Sequence, residues 1–156
     1  MNHQWAAITA GALLATLVVS HGWAQEIAIQ NTRGLSFGSF VAGSGGSVAV
    51  SPSGLRSAGG NVFLLRSVEG LAAEFTVTGD TQATYTIQLP GNDFVKLTGP
   101  GNDMVINAFT SAPSGAGGQL SAGGSQALTV GGTLNVGNAQ TPGEYAGSFS
   151  VIVNYN

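Results

Sequence analysis

"GEYAGSFSVIVNYN", residues 143–156, alternates with period two: Tyr145, Gly147, Phe149, Val151, Val153 and Tyr155 fall on one side, and Ala146, Ser148, Ser150 and Asn154 on the other. Successive side chains of a strand point to opposite faces, so this stretch reads as a strand with one side in a core. Only Asn156 follows it. A strand with no turn after it leaves open what it pairs with.

Working outward, the same alternation recurs at 35–40, 48–50, 62–68, 74–78, 83–89, 94–97, 104–109, 128–130 and 134–136. Between these runs stand Gly-, Pro-, Asn- and Ser-rich turn signals such as "SGGS", "LPGND", "TGPGND" and "AQTPG". No sustained 3.6-residue apolar period interrupts them. Short strands at this spacing predict an all-β fold, an antiparallel two-sheet sandwich. Apolar and β-branched residues recur between the glycines, which argues against disorder for most of the length. The exception is "SAPSGAGGQLSAGGSQ", residues 111–126, which reads as a mobile loop.

At the other end, an apolar run from Ala6 to Val19 is followed by the small residues Gly22 and Ala24. The run is shorter than the roughly 20 residues of a membrane span, and its flank has cleavage spacing, so residues 1–24 read as a secretory signal cut after Ala24. Residues 25–156 then form a single β-sandwich domain with no stable membrane span. Both histidines (His3, His21) and both tryptophans (Trp5, Trp23) lie in the segment removed, and the chain has no cysteine. The remainder offers neither imidazole nor thiol. Ser-His and Cys-His catalysis, a zinc site and a disulfide are therefore not expected.

Four basic residues against seven acidic ones give a net charge of −3. Arg33, Arg56, Arg66 and Lys96 are scattered, which leaves no patch to grip a phosphate backbone, so no nucleic acid partner is expected. A surface of Gly, Ser, Thr, Ala and Asn offers little repulsion between copies. "PGNDFV" at 90–95 and "PGNDMV" at 100–105 repeat at ten-residue spacing. Oxygen ligands on adjacent loops suit calcium, with Asp93 and Asp103 the first ligands to test, but Pro-Gly-Asn-Asp is also ordinary turn chemistry, and no metal or other cofactor is assigned. Glu69, Glu74 and Asp80 carry no sign of a paired-acid site, and no enzymatic activity is expected.

The segment "GLSFGSFVAGSGGSVAVSPSGLRSAGGNVFLL" at 34–65, with "FTVTG" at 75–79, "YTIQLP" at 85–90 and "PGEYAGSFSVIVNY" at 142–155, resembles the bacterial domain-of-unknown-function 4402 family. The terminal segment also resembles that of pilus subunits assembled by the chaperone-usher pathway, in which a glycine stands fourteenth from the end and an aromatic residue is penultimate. Gly143 and Tyr155 hold those places here. The second resemblance implies an immunoglobulin-like sandwich lacking its last strand and completed by a donated one. By it, Gly143, Phe149, Val151, Val153, Tyr155 and Asn156 line a partner-strand groove, and Ile27 and Ile29 are either a short donor segment or part of the domain's first strand.

The resemblance implies export through the inner membrane to the periplasm and then to the cell surface or a fimbrium. The implied partners are a periplasmic chaperone, an usher and other pilus subunits met by strand exchange. The function expected is that of a structural or adhesive surface protein. The alternative is a monomeric secreted binding module with a complete sandwich, its "SAPSGAGG" loop and "PGND" turns forming a ligand-facing end.

Overall fold

Tyr145, Phe149, Val151 and Val153 are at most 4% exposed, while Glu144, Ala146, Ser148 and Ser150 between them face solvent. The alternation thus operates as one buried face of a strand. A computed structural model describes residues 4–12, 25–114 and 117–156 of the chain. Its elements are all strands: β1 (Gln4–Ala12), β2 (Ala28–Arg33), β3 (Ser36–Val41), β4 (Gly46–Val50), β5 (Arg56–Gly60), β6 (Phe63–Leu64) and β7 (Ala73–Thr78). They continue as β8 (Thr84–Gln88), β9 (Val95–Leu97), β10 (Met104–Ala112), β11 (Gly118–Gln119), β12 (Ser125–Val136) and β13 (Gly143–Tyr155). Among the described residues no helix is long and apolar enough to cross a membrane.

Two sheets form. One runs β2-β7-β12-β10-β9, with β4 paired to the far half of β12 and β5 paired to β4; the other runs β11-β8-β13-β1-β3-β6. An immunoglobulin sandwich has sheets ordered A-B-E-D and C-F-G. Here β2, β7, β12 and β10 take the A, B, E and D places, and β8 and β13 take C and F. The chain is an immunoglobulin-like β-sandwich. The G place beside β13 is filled by β1, from the other end of the sequence.

The core lies between the sheets because each contributes its apolar face. Phe75 of β7 meets Phe149 of β13 edge to face with ring centroids 6.4 Å apart, and Phe109 lies 5.1 Å from the same Phe149 ring. Edge-to-face packing aligns the positive ring edge with a negative face, and this cluster joins the two layers. Ile27, Leu35, Phe37, Phe40, Leu128 and Leu134 are fully buried around it.

Three departures from the sequence reading have local causes. The runs at 128–130 and 134–136 are one strand, β12, which continues through Gly131 and Gly132 while changing partner from β7 to β4. Residues 111–126 are not one loose loop: β10 extends to Ala112, β11 pairs with β8, and Leu120 is 1% exposed. That buried leucine anchors a stretch whose composition signals only turns. The run at 62–68 keeps just the two-residue β6, while β5, invisible as alternation because it reads Arg-Ser-Ala-Gly-Gly, completes a hairpin with β4.

β5 also brings in a half-buried cation that sequence reading missed. Arg56 Nη1 donates to the carbonyls of Phe37 and Ser39, both at 3.0 Å, and Nη2 donates to that of Leu65 at 2.6 Å. Burial lowers the Arg56 pKa from its ordinary value, and the charge of Glu69 partly offsets this. Gly38, in the "LSFG" segment, has φ +73°, and a Cβ there would lie 2.4 Å from Arg56 Nη1 and from the Val68 carbonyl oxygen. Glycine is required at that point by both the left-handed backbone and the close approach.

Candidate functional site

The feature that sets this sandwich apart is the slot between β3 and β13. β1 occupies it, parallel to β13 in an unbroken register from Gln4 opposite Gly143 to Ala12 opposite Val151. On its other side β1 runs antiparallel to β3, with Gln4 opposite Phe40, Ala6 opposite Gly38 and a register shift after Ala6. In a sandwich whose other strand pairs are antiparallel, this parallel pair marks a strand that did not arrive by a hairpin.

The slot exists because β3 and β13 each turn a buried face inward and toward each other a backbone edge that β1 pairs. Without a strand between them, both edges would expose N–H and C=O groups above an apolar floor. Pairing one strand on two sides engages on the order of ten backbone hydrogen bonds, each worth about 0.5–1.5 kcal/mol net. That sum is of the order of a whole domain's stability.

The residues assigned to the groove divide into two sets. Gly143, Phe149 and Val151 lie along the stretch facing β1, opposite Gln4, Ala10 and Ala12. Gly143 has φ +144°, and a Cβ there would lie 2.5 Å from Pro100 Cγ, so the strand can start where it does only with glycine. Val153 and Tyr155 lie beyond the end of β1, and β8 holds them from the opposite side, Val153 opposite Ile87 and Tyr155 opposite Tyr85. Tyr155 Oη accepts a hydrogen bond from the Asp80 amide at 2.7 Å and donates to the Gln25 carbonyl. Asn156 is exposed, and its amide donates to the Thr84 carbonyl at 3.2 Å.

Ile27 and Ile29 are 0% and 7% exposed in this domain's own core, and Ile29 stands opposite Val77 of β7. The segment is thus the domain's first strand in this arrangement, and donating it would empty part of the core. The cleavage position after Ala24 lies outside the described residues, as does the part of the apolar run beyond Ala12.

Sequence reading missed the role of Tyr145. Its buried hydroxyl donates to the Thr141 carbonyl at 2.6 Å and accepts from the Gly101 amide and from Gln140 Nε2, both at 3.1 Å. A tyrosine near the start of strand F, bonded back to the backbone a few residues upstream, is the tyrosine corner of immunoglobulin-like sandwiches. It independently places β13 at F. The signal was present as a tyrosine two residues into the last strand, but its hydroxyl partners come from loops that only folding brings together.

The acids are dispersed. Glu74 forms an ion pair with Arg33 at 3.3 Å near the surface, and Asp80 Oδ1 accepts from the Gln25 amide at 2.7 Å. Asp93 and Asp103 do share the lining of one polar cleft, yet among the described residues no three His, Cys, Asp or Glu side chains gather closely enough to hold a metal.

The pattern of the family described as "Domain of unknown function (DUF4402)" matches residues 27–155. The chain belongs to the DUF4402 family. The match begins at Ile27, so the DUF4402 domain comprises β2 to β13 and excludes β1. The strand in the slot is therefore external to the family domain, although it belongs to the same chain. Neither the curated proteins nor the solved structures contain a match to this DUF4402 chain.

Proposed function

We propose that this chain is an exported structural or adhesive protein of the cell surface, a subunit of a fimbria- or pilus-like assembly completed by a strand from a partner. One observation carries the reading: the segment that fills the G place coincides with the segment whose sequence reads as a secretory leader. Cleavage after Ala24 removes β1 and leaves the slot between β3 and β13 open. An open slot flanked by two backbone edges suits another extended chain, and β-augmentation supplies backbone bonds and apolar inserts together. A periplasmic chaperone and an usher would serve it during export, and neighbouring subunits afterwards.

A second reading rests on the same strand. If residues 4–12 are retained, the chain completes its own sandwich and acts as a monomeric secreted binding module. Electrophoresis in SDS of material sheared from producing cells, unboiled against boiled, separates the two when combined with N-terminal sequencing. A ladder that collapses on boiling to a band beginning at Gln25 supports the assembly. A single band in both lanes that retains residues 4–12 supports the self-completed module and overturns the assembly.

A further inference from the structure

At the end of the sandwich where the two PGND turns meet the β12–β13 connection, a cleft of about 430 Å³ opens between Asp93, Asn102, Asp103, Asn135, Asn138 and Thr141. We infer that this cleft binds a neutral saccharide, one or two sugar rings of a glycan, independently of what fills the strand slot.

The size falls in the range of small-ligand sites, roughly 300–1,000 Å³. The chemistry of the walls selects the ligand. Carboxylates accept hydrogen bonds, carboxamides both donate and accept, and a hydroxyl does both, so a ring of Asp and Asn matches the vicinal hydroxyls of a pyranose. No Lys or Arg is among the residues lining the cleft, and two carboxylates are, which disfavours phosphate, sulfate and acidic sugars. A cation is a poorer fit, because among the described residues no three His, Cys, Asp or Glu side chains gather closely enough to hold one.

The cleft is built in advance of any ligand. The Tyr145 hydroxyl ties the 101 and 141 backbones together, Gln140 Nε2 donates to the Asn102 carbonyl at 2.5 Å, and the Ala139 amide donates to the Gly43 carbonyl at 3.0 Å. The Asp93 amide donates to Asn107 Oδ1 at 2.9 Å. Walls fixed in this way lower the ordering cost of binding. A further observation comes from Phe94, which follows Asp93 and is 83% exposed. Phe94 is not itself part of the lining, but an exposed aromatic ring one residue along the chain from a lining carboxylate offers the apolar C–H face of a sugar a surface to stack on at the rim.

The test is amide chemical-shift titration of the full chain with the methyl glycosides of glucose, galactose, mannose, fucose and N-acetylglucosamine, with glucuronate and calcium chloride as separate arms. The expected result is a saturable shift with at least one neutral glycoside, confined to amides around 92–94, 102–105 and 135–141. Asp103→Asn should weaken that binding by roughly tenfold and Phe94→Ala by roughly threefold, with the amide spectrum otherwise unchanged. Phe63→Ala, which removes another exposed ring, should leave it unaltered. Absence of saturable shifts with every neutral glycoside, or shifts with calcium or glucuronate alone, would overturn the inference.

Discussion

The buried Tyr145 hydroxyl bonds to three groups at once, and its removal is the most informative single-atom change. Tyr145→Phe leaves the Gly101 amide and Gln140 Nε2 without that acceptor and should cost about 1–3 kcal/mol, read as a lower urea midpoint with unchanged slope. Tyr85 gives a pH signature. Its side chain is 0% exposed, its hydroxyl donates to Gln126 Oε1 at 2.5 Å, and burial pushes its pKa up to about 12. The unfolded phenol ionises near 10, so the unfolded state loses its proton first. Stability should be level below about pH 10 and fall as pH rises toward 12; Tyr85→Phe should remove that part of the fall in a pH series of urea melts. Neither role was legible in the sequence. A tyrosine in an alternating strand reads as apolar filling, and the alternation does not say which groups its hydroxyl will meet: for Tyr85 it is Gln126 of β12, and for Tyr145 a loop just upstream together with Gly101.

β3 and β13 define the slot, and β1 tests it. Ala6 is paired on both sides, opposite Tyr145 and Gly38. Proline there removes a ladder donor and resists the central-strand geometry, so Ala6→Pro should loosen β1 and speed hydrogen exchange at those amides between 145 and 151 that face β1, while the Ala146 amide, bonded to the Thr98 carbonyl at 2.9 Å, keeps its protection. Amides of β12, paired with β7 and β10 elsewhere, should keep their protection. The β4–β5 hairpin depends on Arg56 in a comparable way. Arg56→Met removes a donor from the Phe37, Ser39 and Leu65 carbonyls, of which that of Ser39 keeps the Leu65 amide, and should cost about 1–3 kcal/mol in a thermal or urea melt. Alternation revealed β7, β8, β10 and β13, whose buried faces are apolar throughout. It did not reveal β5, whose order comes from an arginine and a neighbouring strand rather than from its own apolar pattern.

For the whole molecule, folding and strand capture are one equilibrium. Residues 25–156 produced alone should melt lower and aggregate more readily than the full chain, because two edges and an apolar floor are left open. A synthetic peptide of residues 4–12 supplied in trans should raise the melting temperature in a concentration-dependent way. At about a hundred times its dissociation constant it contributes about 2.7 kcal/mol, a shift of roughly 10 °C for a domain of this size. A shorter chain that is as stable as the full one and indifferent to the peptide would mean that the slot closes on itself. The sequence by itself determined the all-β class, the sandwich, the buried face of the last strand and the absence of imidazole and thiol chemistry from residues 25–156. These follow from side-chain periodicity and composition, which are local properties of the chain. Only the tertiary structure decided that β2 belongs to the core, that β13 occupies the F place, and that the strand beside it comes from residues 4–12. Pairing between strands more than a hundred residues apart is fixed by backbone edges and loop contacts, which leave no local mark in the sequence.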